Sequence, residues 1–370
     1  MKYKIILIIL FFSVFLSGSY HEDILEIQIE TVKEHNLTKY LSEETSDTLK
    51  KLGLGNLDYE TLFSYSAKDF VYLFFEKLML KISEPIKAVL IITAAAIICA
   101  VADSFCDNFE HCGTVINSVS ALSAASVFLF PIKDSIVSSA NMITECSNFM
   151  LGFIPVYSSA ITASGYVSSG IGYRTLMLGT ATIISKIFGE IAVPLIGIYL
   201  AISIAGSVSG IKTGEIAKSV KNFATWLFCG IMVIFSGIMG LGTLVSASSD
   251  NVVSKAAKFI VGSAVPIVGG TVADSLSTVR SCLSITKNIL GTYAIVIIVV
   301  IFLPSLISLF LWRVSLSVSS GIGDILGNKN LSSLLSSASS VVGIMLSLVT
   351  VTIIMFIFSV SIMLMTGGGL

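Results

Sequence analysis

Long apolar runs separated by short charged segments dominate the chain from residue 85 onward. The first run extends from Ile86 to Val101, and the second extends from Val115 to about Ile132, where Lys133–Asp134 closes it. Later runs include Phe223–Val245 and Ser340–Met365. Because a membrane-spanning helix needs about 20 mostly apolar residues, the pattern predicts an all-α, polytopic membrane protein of about six to eight spans.

The pattern before residue 85 is different. Lys2 and Lys4 precede an apolar run from Ile5 to Leu16, and small residues follow it, which is typical of a secretory signal peptide over residues 1–19. Charged and apolar positions then recur at helical spacing over residues 20–84. This spacing predicts a small, acidic, helical region on the extracytoplasmic side.

Gly53 and Gly55 divide that region into two predicted helices. The second helix has an apolar stripe formed by Phe70, Leu73, Phe74 and Leu78. Three partners are possible for this stripe: the membrane surface, another protein, or the first helix of the same region.

The membrane part is predicted to contain two first spans over residues 85–140 and then an internal repeat, 141–250 and 251–370, with a period of about 110 residues. Each copy has a proline-containing segment, a Leu-Gly-Thr triplet, a second proline in a long apolar run, a charged loop and a closing span. The triplets are Leu178-Gly179-Thr180 and Leu290-Gly291-Thr292. This shared order predicts two copies that run parallel through the membrane.

Proline and glycine interrupt an apolar run in each copy, at Pro155 and at Pro266 with Gly269 and Gly270. Proline removes a backbone donor and glycine weakens a helix interior, so broken or re-entrant segments are predicted there. Irregular backbone at membrane depth is tolerated only inside protein or beside a water-filled cavity, so such segments are expected to line a pathway. Kinks held by neighbouring helices are the alternative.

Ionisable residues beside these segments are functional-site hypotheses, because charge is costly at membrane depth. A solvated loop near the headgroups is the alternative for Asp274, Arg280 and Lys287. Lys186 and Glu190 lie four residues apart in another apolar run, which predicts either a buried ion pair or a break in the helix. The full set of pathway or packing candidates is Pro155, Lys258, Pro266, Gly269, Gly270, Asp274, Arg280, Lys287 and Gly291.

Two basic loops, Lys212–Lys221 and Arg313–Lys329, follow the long apolar runs of the two copies. In a parallel repeat both loops lie on the same side of the membrane. With the amino-terminal region outside the cytoplasm, the order of spans places both loops in the cytoplasm, which agrees with the enrichment of lysine and arginine in cytoplasmic loops.

Composition supports the membrane class and excludes several functions. The chain is 54% hydrophobic and 12% charged, with a mean hydropathy of +0.93, outside the range of soluble domains. It has no phosphate loop, zinc-protease histidine pair or nucleophile elbow, so neither an enzyme nor a cofactor is predicted. No basic stripe points to nucleic acid. Cys106, His111 and Cys112 are interpreted as part of a polar turn rather than as a metal site.

The most specific pattern lies between Lys255 and Gly291. It contains Lys258-Phe259, Pro266-Ile-Val-Gly269, Asp274, Thr278-Val279, Lys287-Asn288 and Gly291. Together with the order of signal peptide, acidic helical region and polytopic domain, this pattern resembles the stage III sporulation protein AE family of endospore-forming bacteria.

The resemblance implies a multi-pass component of the complex that joins the mother cell to the engulfed forespore as a channel, or feeding tube. It also implies a role in late forespore transcription under sigma factor G. The implied partners are other products of the stage III sporulation A operon, the forespore protein stage II sporulation protein Q, and membrane lipid. The implied location is the mother-cell membrane around the forespore.

Three functional hypotheses follow. In the first, the chain is the conduit of the complex and the candidate residues belong to its pathway. In the second, it is a structural platform that recruits and orients ring-forming partners, and the broken segments serve packing. A permease of unrelated role is the third.

Overall fold

A computed structural model describes residues 37–52, 67–105, 112–209, 214–264 and 269–365. These residues form helices and turns and contain no strand. Five of their helical segments are long and apolar enough to cross a membrane, which confirms the all-α, polytopic prediction. The five are Val71–Ser104, Val115–Ala163, Lys218–Asp250, Leu283–Ile325 and Lys329–Met365, and a shorter apolar helix covers Glu190–Gly206. The predicted signal peptide lies outside the described residues.

The described helices are numbered in chain order. A 3-10 helix covers Leu37–Tyr40, and a π-helical turn covers Phe188–Ala192. The α-helices are α1 (Glu43–Lys51), α2 (Ala67–Lys81), α3 (Ser83–Ser104), α4 (Cys112–Ala163), α5 (Val167–Ile187), α6 (Val193–Ser209), α7 (Gly214–Ala264), α8 (Gly269–Ile325) and α9 (Lys329–Met365).

Two ion pairs connect the amino-terminal helices α1 and α2. Glu44 binds Lys77 at 3.1 Å, and Lys51 binds Glu76 at 3.6 Å. Apart from these ion pairs, both helices pack mainly against α8, so the described contacts do not place the apolar stripe on the first helix. The stripe is only partly covered, because Leu73 is buried while Phe74 is exposed.

Helix α4 extends past Lys133–Asp134, where the second span was predicted to end, and continues to Ala163. Both charged side chains are exposed, so they lie on the outer surface of the helix and do not require it to end. Pro155 lies inside the same helix, so the predicted break there is wrong. A proline costs one backbone bond and a local clash, and contacts with neighbouring helices offset that cost.

Helices α5 and α6 are joined through the π-helical turn. Pro194 would clash with the carbonyl of Glu190 in a regular α-helix, and the wider π turn just before it relieves that clash. Lys186 and Glu190 are both exposed, so the predicted buried ion pair is wrong. The backbone departs from α-helix here without separating into two distant segments.

The hairpin of α8 and α9 forms the centre of the bundle. In the most apolar 18-residue stretches of α8 and α9, 67% and 61% of the residues are buried, whereas 18% are buried in the corresponding stretch of α7. Gly327 adopts φ 77° between the two helices, a conformation that favours glycine. Asn328 then caps α9, because its Oδ1 accepts a hydrogen bond from the Leu331 amide at 3.0 Å.

Candidate functional site: a buried lysine where four helices meet

Lys287 of α8 is fully buried, with 0% of its surface exposed. Its Nζ donates a hydrogen bond to the Leu364 carbonyl oxygen at 3.3 Å, in the last turn of α9. The same ammonium lies 5.7 Å from the centroid of the Tyr166 ring, within range of a cation–π contact. We call Lys287, Gly291, Tyr157, Tyr166 and Leu364 the Lys287 cluster.

The tight turn between α4 and α5 places Tyr166 over this lysine. Gly165 adopts φ 88°, which ends α4. The Gly165 amide donates to the Thr162 carbonyl at 2.9 Å, and the Tyr166 amide donates to the Ile161 carbonyl at 3.2 Å. This pair of bonds is the Schellman arrangement, which satisfies carbonyls left free at a helix end.

Asp250 holds the same turn from α7. Its side chain is buried, and its two carboxylate oxygens accept hydrogen bonds from the Ser168 and Ser169 amides, each at 2.8 Å. These amides belong to the first turn of α5, where helices have unpaired donors and a partial positive charge. An acidic side chain 82 residues away in sequence from Ser168 therefore caps α5.

Gly291 allows an aromatic column to approach α8. A Cβ atom at residue 291 would lie 2.8 Å from the Tyr157 hydroxyl oxygen and 2.6 Å from Leu364 Cδ2, so no side chain fits without displacing a neighbour. The column continues along α4, where the Phe153 and Tyr157 rings stack at 5.0 Å and the Phe149 and Phe153 rings stack at 5.6 Å. Tyr157 and Gly291 thus bring α4 and α8 into direct contact.

The Lys287 cluster joins α8, the last turn of α9 and the α4–α5 turn through a single positive charge. A cation at a helix carboxyl end is favourable because carbonyl groups there carry partial negative charge. An ammonium in a mostly apolar interior needs such partners, because burying an unpaired charge is costly. The arrangement holds the Lys287 ammonium between the last turn of α9 and the Tyr166 ring. It contains no nucleophile with a neighbouring base.

A separate cavity lies between α2, α3, α4 and α8 and has a volume of about 750 Å³. Ser135 and Ser308 bind each other at 3.2 Å in its wall, and Ser139 binds Ser305 beside them. We call this cavity the serine cleft. Two helix prolines also line it, and its mouth is charged: the lining includes Pro131, Pro304, Lys81, Glu84, Lys87 and Asp134.

Comparison with known proteins identifies the family. Residues 48–367 match the family model described as stage III sporulation protein AE. The chain belongs to this family. The matched region includes every described transmembrane segment and the whole Lys287 cluster.

One curated relative is stage III sporulation protein AE of Bacillus subtilis (strain 168), which is 25% identical to this chain over 160 residues. That alignment covers 43% of this chain and 40% of the relative, so it spans less than half of either protein. No solved structure matches the chain. The family description names a sporulation stage protein and no enzymatic activity.

The structure brings two of the predicted site residues, Lys287 and Gly291, into one cluster. Pro155 lies in the same helix as Tyr157 and does not break that helix. Pro266 lies outside the described residues. The backbones of Lys258, Gly269, Gly270, Asp274 and Arg280 are helical, and their side chains lie outside the described part. Their assignment to a pathway therefore stays a prediction.

Sequence reasoning missed Tyr157, Tyr166, Leu364 and Asp250. A tyrosine in an apolar run predicts nothing beyond ordinary packing. Leu364 contacts Lys287 through its backbone carbonyl, which the identity of the side chain does not indicate. Asp250 had a detectable signal, since an acidic residue at the end of an apolar run is costly unless paired. Its partners could not be found from spacing, because they are amides more than 80 residues away.

Proposed function

We propose that this member of the stage III sporulation protein AE family is a multi-pass, non-enzymatic membrane component of the mother-cell–forespore channel complex. In this proposal it resides in the mother-cell membrane around the forespore, with its amino-terminal region outside the cytoplasm. Its partners are other stage III sporulation A-operon proteins and, through them, stage II sporulation protein Q. The role serves endospore development and late forespore gene expression.

The observation that carries this proposal is the family match over residues 48–367, which covers the polytopic bundle. The serine cleft favours a conducting role within the complex. Its hydroxyls, its charged residues of both signs and its volume of about 750 Å³ offer a polar environment beside apolar helices. Polar surface among membrane helices typically lines a path for ions or solutes.

The second candidate is a platform that recruits and orients ring-forming partners without conducting. The packed bundle centre favours it, because the large side chains of Phe149, Phe153, Tyr157 and Phe356 are fully buried there. A conduit through the described centre of one chain would need those rings to move apart. A path along the serine cleft needs no such movement.

A Ser308→Trp substitution separates these candidates by filling the serine cleft. Phe310→Trp is the matched control, because Phe310 lies two residues away on α8 with an exposed side chain outside the cleft lining. The measurements are a sigma factor G-dependent reporter in the forespore, the protein level, and the recruitment of a fluorescent partner of the complex.

Conduction through the cleft predicts that Ser308→Trp lowers reporter activity substantially, with normal protein level and recruitment. The control should retain activity. Normal reporter activity with the cleft filled contradicts conduction by this route. Joint loss of reporter activity and recruitment, at normal protein level, favours the platform.

A further inference from the structure

A second cavity, of about 240 Å³, lies between α7, α8 and α9 and has a cationic end. Lys221 of α7 and Arg313 of α8 line it together with the hydroxyl-bearing residues Thr225, Ser339 and Ser340. Its described lining contains no carboxylate, and within the described chain neither cation belongs to an ion pair. This end of the cavity therefore has the charge that attracts an anion.

Packing holds the Arg313 guanidinium beside the cavity. A Cβ atom at Gly343 of α9 would lie 3.2 Å from Arg313 Cζ, so the planar guanidinium rests against a helix surface that has no side chain. Ser339 of α9 donates a hydrogen bond to the Arg313 carbonyl at 3.2 Å, which fixes α8 against α9 at this level. The cation is thus positioned before any ligand arrives.

The opposite end of the cavity is apolar. Phe228, Leu348 and Val351 line both this cavity and an adjoining recess. The other described residues of the recess are Ile184, Ile187, Ile231 and Met355. The recess itself has room for only about 10 Å³, so a hydrocarbon tail would contact the apolar residues that line the larger cavity. A cavity with a cationic end and an apolar end matches a molecule with an anionic head and a hydrocarbon tail.

Aromatic residues place the cationic end at the edge of the membrane. Phe223 and Trp226 are both exposed on α7, and their ring centroids lie 6.5 Å apart. Exposed aromatic rings beside an apolar span are typical of the headgroup level, and lysine extends its ammonium toward the same level. Exposed apolar side chains follow along α7, including Val233, Ile234, Ile238 and Leu241.

We propose that this cavity binds an anionic phospholipid, with the phosphate between Lys221 and Arg313 and an acyl chain along Phe228, Leu348 and Val351. Basic pockets between transmembrane helices are suited to anionic headgroups, and arginine and lysine are effective phosphate ligands. The apolar end of the cavity distinguishes a lipid from a free phosphate, which would leave Phe228, Leu348 and Val351 without a partner. The inference is independent of the role in the channel complex.

The first test measures the Tm of the purified full-length protein in neutral detergent. The probes are dioleoylphosphatidylglycerol, dioleoylphosphatidylcholine and inorganic phosphate. The Lys221→Gln/Arg313→Gln double variant is compared with Lys218→Gln, which removes an exposed lysine from the same helix but outside the cavity lining. A ligand that binds only the folded state raises Tm.

Phosphatidylglycerol is expected to raise the Tm of the unmodified protein and of Lys218→Gln by at least about 2 °C. The double variant should lose more than half of this shift. An equal shift in the double variant overturns the proposal. So does an equal shift caused by phosphatidylcholine or by inorganic phosphate.

A second test needs no substitution in the cavity. The Cys229 thiol is exposed and lines the cavity, whereas half-buried Cys99 lies on α3 outside it. The rate of N-ethylmaleimide modification at each site is followed by peptide mass spectrometry. At a phosphatidylglycerol concentration about three times the Kd, the Cys229 rate should fall about fourfold because only the free fraction reacts.

Cys99 should react at an unchanged rate, and neither phosphatidylcholine nor inorganic phosphate should protect Cys229. An unprotected Cys229 contradicts a lipid in this cavity, even if the double variant does not fold. Protection by inorganic phosphate alone contradicts the lipid as the ligand.

Discussion

At the scale of single residues, Lys287 shows what makes a buried cation acceptable in an apolar helix. Its ammonium contacts a carbonyl oxygen and an aromatic face, and both present negative potential. An uncharged side chain can occupy position 287, whereas a negative charge there would be repelled by both the Leu364 carbonyl oxygen and the Tyr166 ring. The sign of the charge therefore matters more than its presence.

Substituting Lys287 with methionine or glutamate tests this sign dependence. Lys287→Met keeps most of the volume and should change the free energy of unfolding by no more than about 1 kcal/mol, because apolar replacement of a buried charge is often nearly neutral. Lys287→Glu should cost at least about 3 kcal/mol, since the carboxylate would face the Leu364 carbonyl and the Tyr166 ring. Thermal unfolding of the purified variants measures both.

Lys255→Glu is the control for this pair, because Lys255 is exposed. It should unfold close to the temperature of the unmodified protein. Equal stability of Lys287→Glu and Lys287→Met would contradict the contacts described for the ammonium.

The two Leu-Gly-Thr triplets provide a matched pair of glycines. Gly291→Ala places a methyl 2.8 Å from the Tyr157 hydroxyl oxygen, and such overpacking typically costs about 1–3 kcal/mol. Nothing lies within 4 Å of a Cβ at Gly179. Gly179→Ala should therefore stabilise α5 by up to about 1 kcal/mol, the difference in helix propensity. Opposite shifts in Tm are expected, and shifts of the same sign would show that the close packing at Gly291 is not maintained in solution.

At the scale of elements, continuity of a helix depends on its neighbours more than on its own proline residues. Helix α4 passes Pro131 and Pro155 without ending, and α8 passes Pro304. Pro194 coincides instead with a π-helical turn. Hydroxyl pairs such as Ser135–Ser308 connect α4 to α8 near two of these prolines and help to hold the helices together.

Helix α5 depends on a carboxylate from α7. Asp250→Ala removes two acceptors from the first turn of α5 and should cost about 1–2 kcal/mol, the usual range for a lost cap. Asp250→Asn keeps one carbonyl acceptor and should lose less. Hydrogen exchange of the Ser168 and Ser169 amides is the most direct measurement, because both amides lose their partner in the alanine variant.

Faster exchange confined to the start of α5 is expected in Asp250→Ala. Uniformly faster exchange throughout the bundle would indicate general loss of packing. Unchanged exchange at both amides would contradict the cap.

At the scale of the whole molecule, the chain has two chemically different ends. Lys221 and Arg313 line one cavity, so these two residues lie near the same end. The predicted loops Lys212–Lys221 and Arg313–Lys329 are mostly helical, because residues 214–221 belong to α7 and residues 313–325 belong to α8. Helix α7 then leads away to Asp250, which contacts α5 beside the Lys287 cluster. The 29 residues between Lys221 and Asp250 correspond to about 44 Å of helix, more than the thickness of the hydrocarbon core.

Single introduced cysteines can test which residues lie on the same side of the membrane. In a protein without native cysteines, Lys218→Cys and Lys329→Cys should react with a membrane-impermeant maleimide from one side of the membrane, and Val167→Cys from the other. Labelling of right-side-out and inverted vesicles distinguishes the sides. Reaction of the first two from opposite faces would contradict the arrangement of α7, α8 and α9.

The membrane class and the family were predictable from the sequence, whereas the contacts between helices were not. Apolar runs of sufficient length predicted the helical membrane class, and the pattern from Lys258 to Gly291 predicted the family. The predicted break at Pro155 was wrong because packing outweighed the local signal for a helix end. The helix also continues through Lys133–Asp134, where the end of the second span stays a prediction. Lys287 was identified as a candidate from its charge, but its partners were not.

The sequence by itself determined properties that depend on local composition: a helical chain, apolar enough for a membrane, with a family-specific pattern of glycine, proline and charge. Only the tertiary structure decided which candidates meet, because the contacts join residues far apart in the chain, as Asp250 joins Ser168 and Lys287 joins Leu364. It also decided that Gly291 is packed closely while Gly179 is free. The physical reason is that periodicity fixes the face of a helix on which a residue lies, whereas the neighbouring helix fixes what that face touches.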